Sequence, residues 1–330
     1  MPPHIPIQAI VLAAGQGKRM HSALPKVLHR LGGRPIIEYV LDAAHAVAPD
    51  RVGLVVGHEG AQVQAALGDR NLTIVRQDPP RGTGDAVRHA LALLPHEGVT
   101  VVMIGDAPLV RAEDLRQLAQ SAAAGNLALL TARVPDPHGL GRIVRNAAGA
   151  VRAIVEEKDA SPKERALDEI NTGMLAAPTP HLARWVAALR NDNAQQEFLL
   201  TDIVAMAVAD GVAVTSTLVA DERDVRGVND RAQLAQLERI LQRRRADALL
   251  FAGTWIADPD RIDIRGTLQC GSDVRIDVNC VFEGDVVLGD GAEVGANCVL
   301  RNTTVGANAA IAPFSHCDQA VIGSGCRVGP

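Results

Sequence analysis

The sequence predicts an α/β protein in two parts: a domain built on a mixed sheet, and then a long helix that leads into a parallel β-helix. Strand-like and helix-like segments alternate through residues 8–104, one amphipathic segment covers residues 230–250, and beyond Pro259 aliphatic residues recur every six positions. A chain of 330 residues suits two domains, because domains usually contain ~50–250 residues.

Short aliphatic runs in the first part each end at a glycine or a polar residue. The predicted strands are Gln8–Leu12, Val52–Val56, Leu72–Arg76 and Val99–Ile104, and the predicted helices are Arg34–Ala46, Gln62–Leu67 and Thr83–Leu94. This order favours a parallel sheet with helices on both faces. Such sheets bind ligands at the carboxyl ends of their strands, where the glycine-rich segments of this chain fall.

A more mixed pattern follows from Asn126 to Val225. The strand candidates are Leu127–Arg133, Val151–Glu156 and Val212–Val219, with helices around His181–Leu189 and Thr201–Ala209. We interpret this stretch as a substrate-recognition half on the same sheet. Residues 230–250 then carry leucine and isoleucine at helical spacing, which predicts a connecting helix. We expect its basic run, Arg243 to Arg245, to be a solvated face.

The last part has a hexapeptide repeat, which is typical of a β-helix because each short strand stacks its side chain on the same position one turn away. The larger series is Ile264, Cys270, Ile276, Phe282, Leu288, Val294 and Leu300, and the smaller is Ile262, Leu268, Val274, Cys280, Val286, Ala292 and Cys298. The register slips by one residue before Val305. We therefore place the domain boundaries at 1–228, 229–251 (linker helix) and 252–330 (β-helix, incomplete at its end).

Composition excludes several classes of function. A net charge of −5 and only four Phe, two Trp and one Tyr argue against a nucleic-acid binder, which would show basic surplus or stacking platforms. No apolar stretch approaches the ~18 residues of a membrane span, and the N-terminus lacks the pattern of a signal peptide. The five cysteines form no C-x-x-C pair, so we expect reduced thiols and a cytoplasmic location.

The segment from Leu12 to Met20 (LAAGQGKRM) carries the chemistry. A strand that enters a glycine-rich loop leaves backbone N–H groups free to cradle a polyphosphate, and the cations Lys18, Arg19 and Lys26 lie close by in sequence. The loop has neither the G-K-[ST] of a Walker A motif nor the G-x-G-x-x-G of a dinucleotide redox enzyme. Asp106, directly past a predicted parallel strand, is a candidate hard-oxygen ligand for Mg²⁺.

This loop, with Leu24-Pro25-Lys26, resembles the signature of the sugar-1-phosphate nucleotidyltransferases. Further motifs keep the order of that family, and with the hexapeptide domain the chain resembles the bacterial bifunctional N-acetylglucosamine-1-phosphate uridyltransferases/glucosamine-1-phosphate acetyltransferases from Ile7 to its last residue. The further motifs are Gln77, Gly82-Thr83-Gly84, Gly105-Asp106, Gly139 to Arg142, Val155 to Lys158, Glu169 to Gly173 and Gly227 to Asn229.

The resemblance implies a Rossmann-like nucleotidyltransferase domain, a left-handed β-helix, and Mg²⁺-dependent uridylyl transfer from UTP to N-acetylglucosamine-1-phosphate. The products would be UDP-N-acetylglucosamine, for peptidoglycan and lipopolysaccharide precursors, and pyrophosphate. Arg19, Lys26 and Asp106 would be catalytic, and Asp106 and Asn229 would hold the metal. The nucleotide would contact Leu12, Ala13, Ala14, Gly15, Lys26, Gln77, Gly82 and Thr83, and the sugar Ile104, Gly105, Gly141, Glu156, Asn171 and Asn229.

The resemblance also implies a homotrimer through the β-helix. Acetyl transfer in the family uses later turns and a tail, so we expect none from this chain. His316 is expected to be a core or edge residue and the stacked cysteines to be small core residues. Lys18, where many relatives have Thr, and Ile104, where many have an aromatic residue, depart from the pattern. The alternatives are another nucleotide or sugar (dTTP, CTP or GTP), or a hexapeptide acyltransferase with a binding-only N-terminal domain.

Overall fold

The computed structural model describes residues 5–15, 17–68 and 70–330. The chain divides into two compact units. The first unit comprises residues 1–28 and 36–229, and the second comprises residues 29–35 and 230–330.

The helices and strands alternate through the first 229 residues. The strands are β1 (Ile7–Ala13), β2 (Arg30–Leu31), β3 (Arg34–Pro35), β4 (Arg51–Val56), β5 (Thr73–Arg76), β6 (Val99–Ile104), β7 (Leu127–Arg133), β8 (Arg142–Arg145), β9 (Val151–Val155), β10 (Glu169–Pro178) and β11 (Val214–Leu218). The helices are α1 (Ile36–His45), α2 (Gly60–Leu67), α3 (Thr83–Leu91), α4 (Ala112–Ala123), α5 (Pro162–Arg165), α6 (Thr179–Ala188) and α7 (Ile203–Ala209). Short 3₁₀ turns cover Lys18–Met20, Lys26–Leu28, Leu200–Asp202 and Glu222–Val225.

One mixed sheet forms the centre of the first unit, in the order β11-β7-β10-β6-β1-β4-β5. β1 pairs in parallel with β4 and β6, whereas β10 runs antiparallel between β6 and β7. A hairpin of β8 and β9 extends from β10. The predicted mixed-sheet fold class is confirmed, but β10 and α4 were not predicted from the sequence.

Both faces of this sheet are covered, which explains the continuous aliphatic runs of the central strands. Val101 of β6 packs into a core with α1 and α4, and its neighbour Val102 packs into the opposite core with α3 and α6. Both side chains are fully buried. Burial of one such side chain stabilises the fold by about 1.5–3 kcal/mol.

The second unit begins with α8 (Arg231–Phe251), capped by the Asp230 carboxylate, which accepts a hydrogen bond from Gln233 N at 2.8 Å. Short parallel strands follow. They are β12 (Trp255–Ile256), β13 (Ile262–Cys270), β14 (Arg275–Ile276), β15 (Cys280–Leu288), β16 (Glu293–Val294), β17 (Val299–Arg301), β18 (Thr304–Val305), β19 (Ala310–Ile311), β20 (His316–Asp318), β21 (Val321–Ile322) and β22 (Arg327–Val328).

These strands stack as the predicted parallel β-helix. Phe282 pairs with Leu300, and Leu288 pairs with Val305, one residue earlier than the repeat requires. The register slip read from the sequence is therefore present. The inward side chains form one column, with Phe282 and Leu300 fully buried.

The β2–β3 hairpin belongs to this second unit. Leu31 at its tip is fully buried, and Gly32 N donates to Glu238 Oε2 of α8 at 2.7 Å. Arg245 of α8 donates to the Ile264 carbonyl and is half-buried, so the prediction of a solvated face is wrong for this residue. Arg243 is exposed, as predicted, and binds Asp247 and Asp260.

The cysteines of the second unit are all free thiols. Cys280, Cys298 and Cys317 are buried as predicted, whereas Cys270 is half-buried and Cys326 is exposed. His316 is exposed on β20, which ends its sheet. Among the described residues, no helix is both long and apolar enough to cross a bilayer.

Candidate active site

The glycine-rich loop leaves the carboxyl end of β1 and folds back over a 3₁₀ turn. Gly17 has a positive φ of 57°, and a Cβ there would lie 2.8 Å from the Lys26 Cβ, so only glycine fits this approach. Met20 closes the turn with its side chain buried, while Lys18 and Arg19 are exposed. Gln16 of this loop lies outside the described residues.

Three side chains that are distant in sequence meet beside this loop. The Lys26 ammonium donates to Asp106 Oδ2 and to Asn229 Oδ1, the latter at 3.4 Å. The side chains of Lys26 and Asp106 are only 12% and 17% exposed, so water screens the pair weakly.

The backbone explains why Asp106 and Asn229 are neighbours. Gly105 N donates to the Leu12 carbonyl at 2.8 Å, which continues the parallel pairing just past β6, and Val228 N donates to the Asp106 carbonyl at 2.9 Å. Gly227 lies against the carboxylate of Asp106, whose atoms would be in ordinary van der Waals contact, at 3.5 Å, with a Cβ at that position. The segment before α8 is thereby held against the end of the strand.

This arrangement fits a divalent cation. The Asp106 carboxylate and the Asn229 amide oxygen already converge on one positive charge, the Lys26 ammonium, and both are hard oxygen donors. The part of the chain that the structure describes holds no cluster of three or more His, Cys, Asp or Glu able to bind a metal. Two protein oxygens suit Mg²⁺, which takes its remaining ligands from water and substrate phosphates.

Gln77 is fixed where the chain leaves β5. Its side-chain nitrogen donates to the Gly82 carbonyl at 3.0 Å and to Asp85 Oδ2 at 3.1 Å, and the residue is 3% exposed. Because both amide hydrogens are used within the chain, the group that Gln77 can offer a ligand is its carbonyl oxygen.

The neighbouring turn at the start of α3 is held by the loop before α7. A Cβ on Gly82, at φ 108°, would lie 2.6 Å from the Phe198 carbonyl, and Leu200 N donates to Thr83 Oγ1 at 3.2 Å. The Thr83 hydroxyl is therefore already engaged as an acceptor.

Most residues assigned to the sugar lie near the ends of β6, β8, β9 and β10, whereas Asn229 lies just before α8. Asn171 N donates to the Gly141 carbonyl at 2.9 Å, and the Glu156 carboxylate oxygens lie 3.4 Å from a Cβ built on Gly141. Ile104 lies beside Gly173, 3.0 Å from a Cβ built there. The structure brings Gly141, Glu156 and Asn171 into one cluster.

Burial raises the pKa of Glu156, and the nearby carboxylates of Asp202 and Asp159 raise it further. The Thr201 hydroxyl, which donates to Glu156 Oε1 at 3.2 Å, acts in the opposite direction. Glu156 is thus an acidic group held in a partly dry, anionic environment.

An open cleft of 540 Å³ runs along the glycine-rich loop after β1, which we call the phosphate loop. The predicted site residues that line it are Leu12, Ala13, Ala14, Gly15, Lys26, Gln77, Gly82, Thr83, Ile104 and Asp106. The remaining predicted residues, Arg19, Gly105, Gly141, Glu156, Asn171 and Asn229, are not among its lining. Lys18, Pro80 and Glu197 also line the cleft. Glu197 lies in an irregular loop, and nothing in its sequence pattern marked it.

A second cleft, of 340 Å³, shares the phosphate loop with the first. It is lined additionally by Gly57 to Gly60 after β4 and by Asp78 after β5. The loops after β1, β4 and β5 therefore open to one edge of the sheet, as expected for a ligand site in an α/β protein.

Comparison with known proteins agrees with these features. Residues 9–170 match the MobA-like NTP transferase domain, and residues 269–302 match the bacterial transferase hexapeptide (six repeats). A putative glucose-1-phosphate thymidylyltransferase from Bacillus anthracis has a similar fold, with a TM-score of 0.58 at 20% identity over 71% of this chain and 94% of that one.

The sequence relatives are much more similar. The bifunctional protein GlmU of Burkholderia mallei is 53% identical over 321 residues, which cover 97% of this chain and 71% of the relative. GlmU of Burkholderia thailandensis is 52% identical over the same coverage. With an NTP transferase domain followed by hexapeptide repeats, the chain belongs to the GlmU family and is a nucleotidyltransferase.

Proposed function

We propose that this chain transfers a uridylyl group from UTP to N-acetylglucosamine-1-phosphate, which gives UDP-N-acetylglucosamine and pyrophosphate. The observation that carries the proposal is the meeting of Lys26, Asp106 and Asn229 beside a cleft lined by the glycine-rich loop. A cation, a carboxylate and an amide at one point provide what a polyphosphate and its metal require.

The reaction needs no general base, because the attacking phosphate oxygen is already an anion. It attacks the α-phosphorus of UTP and displaces pyrophosphate, so catalysis consists of positioning two anions that repel each other and neutralising the charge that develops. Lys26 supplies its ammonium at the α-phosphate, and the loop of Leu12 to Gly15 supplies backbone N–H groups. Arg19, exposed at the loop, contacts the phosphates once they are bound.

Asp106 and Asn229 hold Mg²⁺ in this proposal. Held by these two oxygens, Mg²⁺ would supply Lewis-acid chemistry and would help to orient the two substrates. Because the same two oxygens accept from the Lys26 ammonium, the lysine would have to exchange them for a phosphate oxygen when metal and nucleotide bind.

In this proposal the base and the sugar bind in different places. The Gln77 carbonyl oxygen accepts from the uracil edge beside Gly82 and Thr83. The sugar lies between Ile104 and Gly105 and the cluster of Gly141, Glu156 and Asn171, with Asn229 near its phosphate.

The test is pyrophosphate release from UTP with N-acetylglucosamine-1-phosphate, with and without Mg²⁺. A panel of dTTP, CTP and GTP with several sugar phosphates serves as the comparison. The proposal is supported if pyrophosphate is released from UTP with N-acetylglucosamine-1-phosphate and if this release requires the divalent ion. Preference for another nucleotide or sugar phosphate would change the substrates but not the type of reaction.

The parallel hexapeptide repeats further support a homotrimer through the β-helix. Sedimentation of the whole chain tests this oligomeric state.

A further inference from the structure

The turn between Gly139 and Arg142 is held by an ion pair that the proposed reaction does not use, between the buried Arg142 and the half-buried Glu157. Arg142 is 2% exposed; it donates to the Leu140 carbonyl and, through Nη2, to Glu157 Oε2 at 3.0 Å. The same Glu157 oxygen accepts a hydrogen bond from Gly139 N at 2.5 Å. One side chain therefore fixes a carbonyl of the turn and the other fixes an N–H.

Two adjacent carboxylates enclose this turn. Glu157 binds Gly139, while Glu156 lies beside Gly141, its oxygens 3.4 Å from a Cβ built there. Because the two glutamates are adjacent in sequence, the backbone that carries Glu157 also carries Glu156. The Thr201 hydroxyl donates to Glu156 Oε1 at 3.2 Å.

Stability alone does not account for the buried arginine. Among the described residues, Arg142 Nε is buried and has no hydrogen-bond partner. Burying a charge with an unpaired donor is costly, and an apolar residue of similar volume often stabilises a fold at least as well. The planar guanidinium can bind two acceptors at once in a fixed geometry, here the Leu140 carbonyl and the Glu157 carboxylate.

We propose that Arg142 and Glu157 are positioning residues for the sugar phosphate: they fix the turn so that the Gly141 backbone and the Glu156 carboxylate meet the sugar hydroxyls in one geometry. This inference rests on the proposed function and deepens it at the sugar end. Neither residue touches the reacting atoms.

The first test is steady-state pyrophosphate release by Arg142→Lys, Glu157→Gln and Glu157→Ala. Lysine keeps the charge but loses the fork, so we expect the KM for N-acetylglucosamine-1-phosphate to rise on the order of tenfold, with the KM for UTP within about twofold. Glutamine can still accept from Gly139 N, so Glu157→Gln should fall between wild type and Glu157→Ala.

A matched control lies on the same strand. Arg145 forms a comparable pair with Glu169, at 2.9 and 2.6 Å, but contacts no part of the 139–141 turn. Arg145→Gln should lower Tm without separating the two KM values. Equal rises of both KM values in the Arg142 and Glu157 variants, or the same separation in Arg145→Gln, would overturn the proposal.

Deoxy substrates give a readout that a purely structural role would not move. With the 3-, 4- and 6-deoxy analogues of the sugar phosphate, the penalty of Arg142→Lys should shrink for the analogue that lacks the hydroxyl bound by the turn. An unchanged penalty for all three would contradict positioning. If wild type releases no pyrophosphate, the proposed function fails on its own, and calorimetric binding of N-acetylglucosamine-1-phosphate to wild type and Arg142→Lys still tests the turn.

Discussion

The fold brings together three polar side chains that are far apart in the sequence: Lys26, Asp106 and Asn229. Asp106 lies 80 positions from Lys26, and Asn229 lies 203 positions from it. The sequence placed Asp106 at a strand end and Lys26 near a glycine loop, and parallel pairing of β1 with β6 brings those ends together. Asn229 was assigned only through the family resemblance, because its approach to Asp106 depends on contacts between distant parts of the chain, such as the hydrogen bond that Val228 N donates to the Asp106 carbonyl.

Replacement of Asp106 tests this group directly. We expect Asp106→Ala to lower pyrophosphate release by on the order of 10³-fold, because Lys26 and the metal lose their carboxylate partner. Circular dichroism should show a folded chain. Asp210→Ala is the matched control, since Asp210 also pairs with a basic residue, Arg184, in the same unit. Near-normal turnover in Asp106→Ala would remove the metal assignment.

We expect the Glu156 carboxylate to lower the stability of the fold near neutral pH while it contributes to binding of the sugar phosphate. Its pKa is raised in the folded chain, mainly by burial, so its contribution to stability is present at low pH and is lost as pH rises through the raised pKa. Glu156→Gln should therefore raise Tm near neutral pH by up to about 4 °C, and the gain should fade in acid. The same variant should weaken binding of the sugar phosphate. A gain in Tm that is independent of pH would contradict the assignment to this carboxyl.

At the scale of elements, predictions succeeded where the pattern was local. β6 was predicted with its observed bounds, because its aliphatic residues are buried on both faces. β10 was missed, because a register shift between Asn171 and Leu175 interrupts its alternation and its partners are distant in sequence. The phosphate loop was visible as a motif for the same local reason, whereas Glu197, Thr201 and the roles of Arg142 and Glu157 arise only from packing.

The close approach of β13 to the next turn of the β-helix requires glycine at position 266. Gly266 has φ 149°, and a Cβ there would lie 2.1 Å from the Gly284 carbonyl oxygen on the next turn. Gly266→Ala should destabilise the second unit by about 3 kcal/mol or more, since strain and a backbone clash add. Denaturant unfolding measures this.

Gly325→Ala is the comparison for that variant. Gly325 also has a positive φ, 71°, but nothing lies within 4 Å of a Cβ built there. It should cost about 1 kcal/mol, the strain alone. If the two variants lost the same free energy of unfolding, the close packing of Gly266 against Gly284 would not explain the need for glycine at position 266.

At the scale of the whole molecule, each unit has a hydrophobic core of its own. The reactivity of the cysteine thiols measures whether the core of the second unit stays closed. Burial raises the pKa of Cys280 to about 11, and it also raises the pKa of Cys298 and Cys317, so these thiols stay protonated and covered. A thiol reagent at pH 8 should label Cys326 rapidly and the buried thiols only on unfolding. The Cys326→Ser variant should lose the fast phase and keep only slower labelling of the half-buried Cys270. Fast labelling of Cys280, Cys298 or Cys317 in that variant, located by peptide mapping, would mean that the β-helix opens in the native state.

The β2–β3 hairpin makes the two units inseparable by a single cut. Residues 29–35 are part of the second unit, so the polypeptide enters that unit, leaves it and returns at residue 230. A fragment that ended at residue 229 would keep Leu31 but lose the α8 carboxylate that receives the Gly32 N–H. Lys26 stands only three positions before this excursion. A short peptide segment therefore joins Lys26 directly to a hairpin whose hydrogen-bond partner lies 206 residues later in the chain, so a domain boundary drawn only at residue 229 would leave part of the second unit in the first fragment.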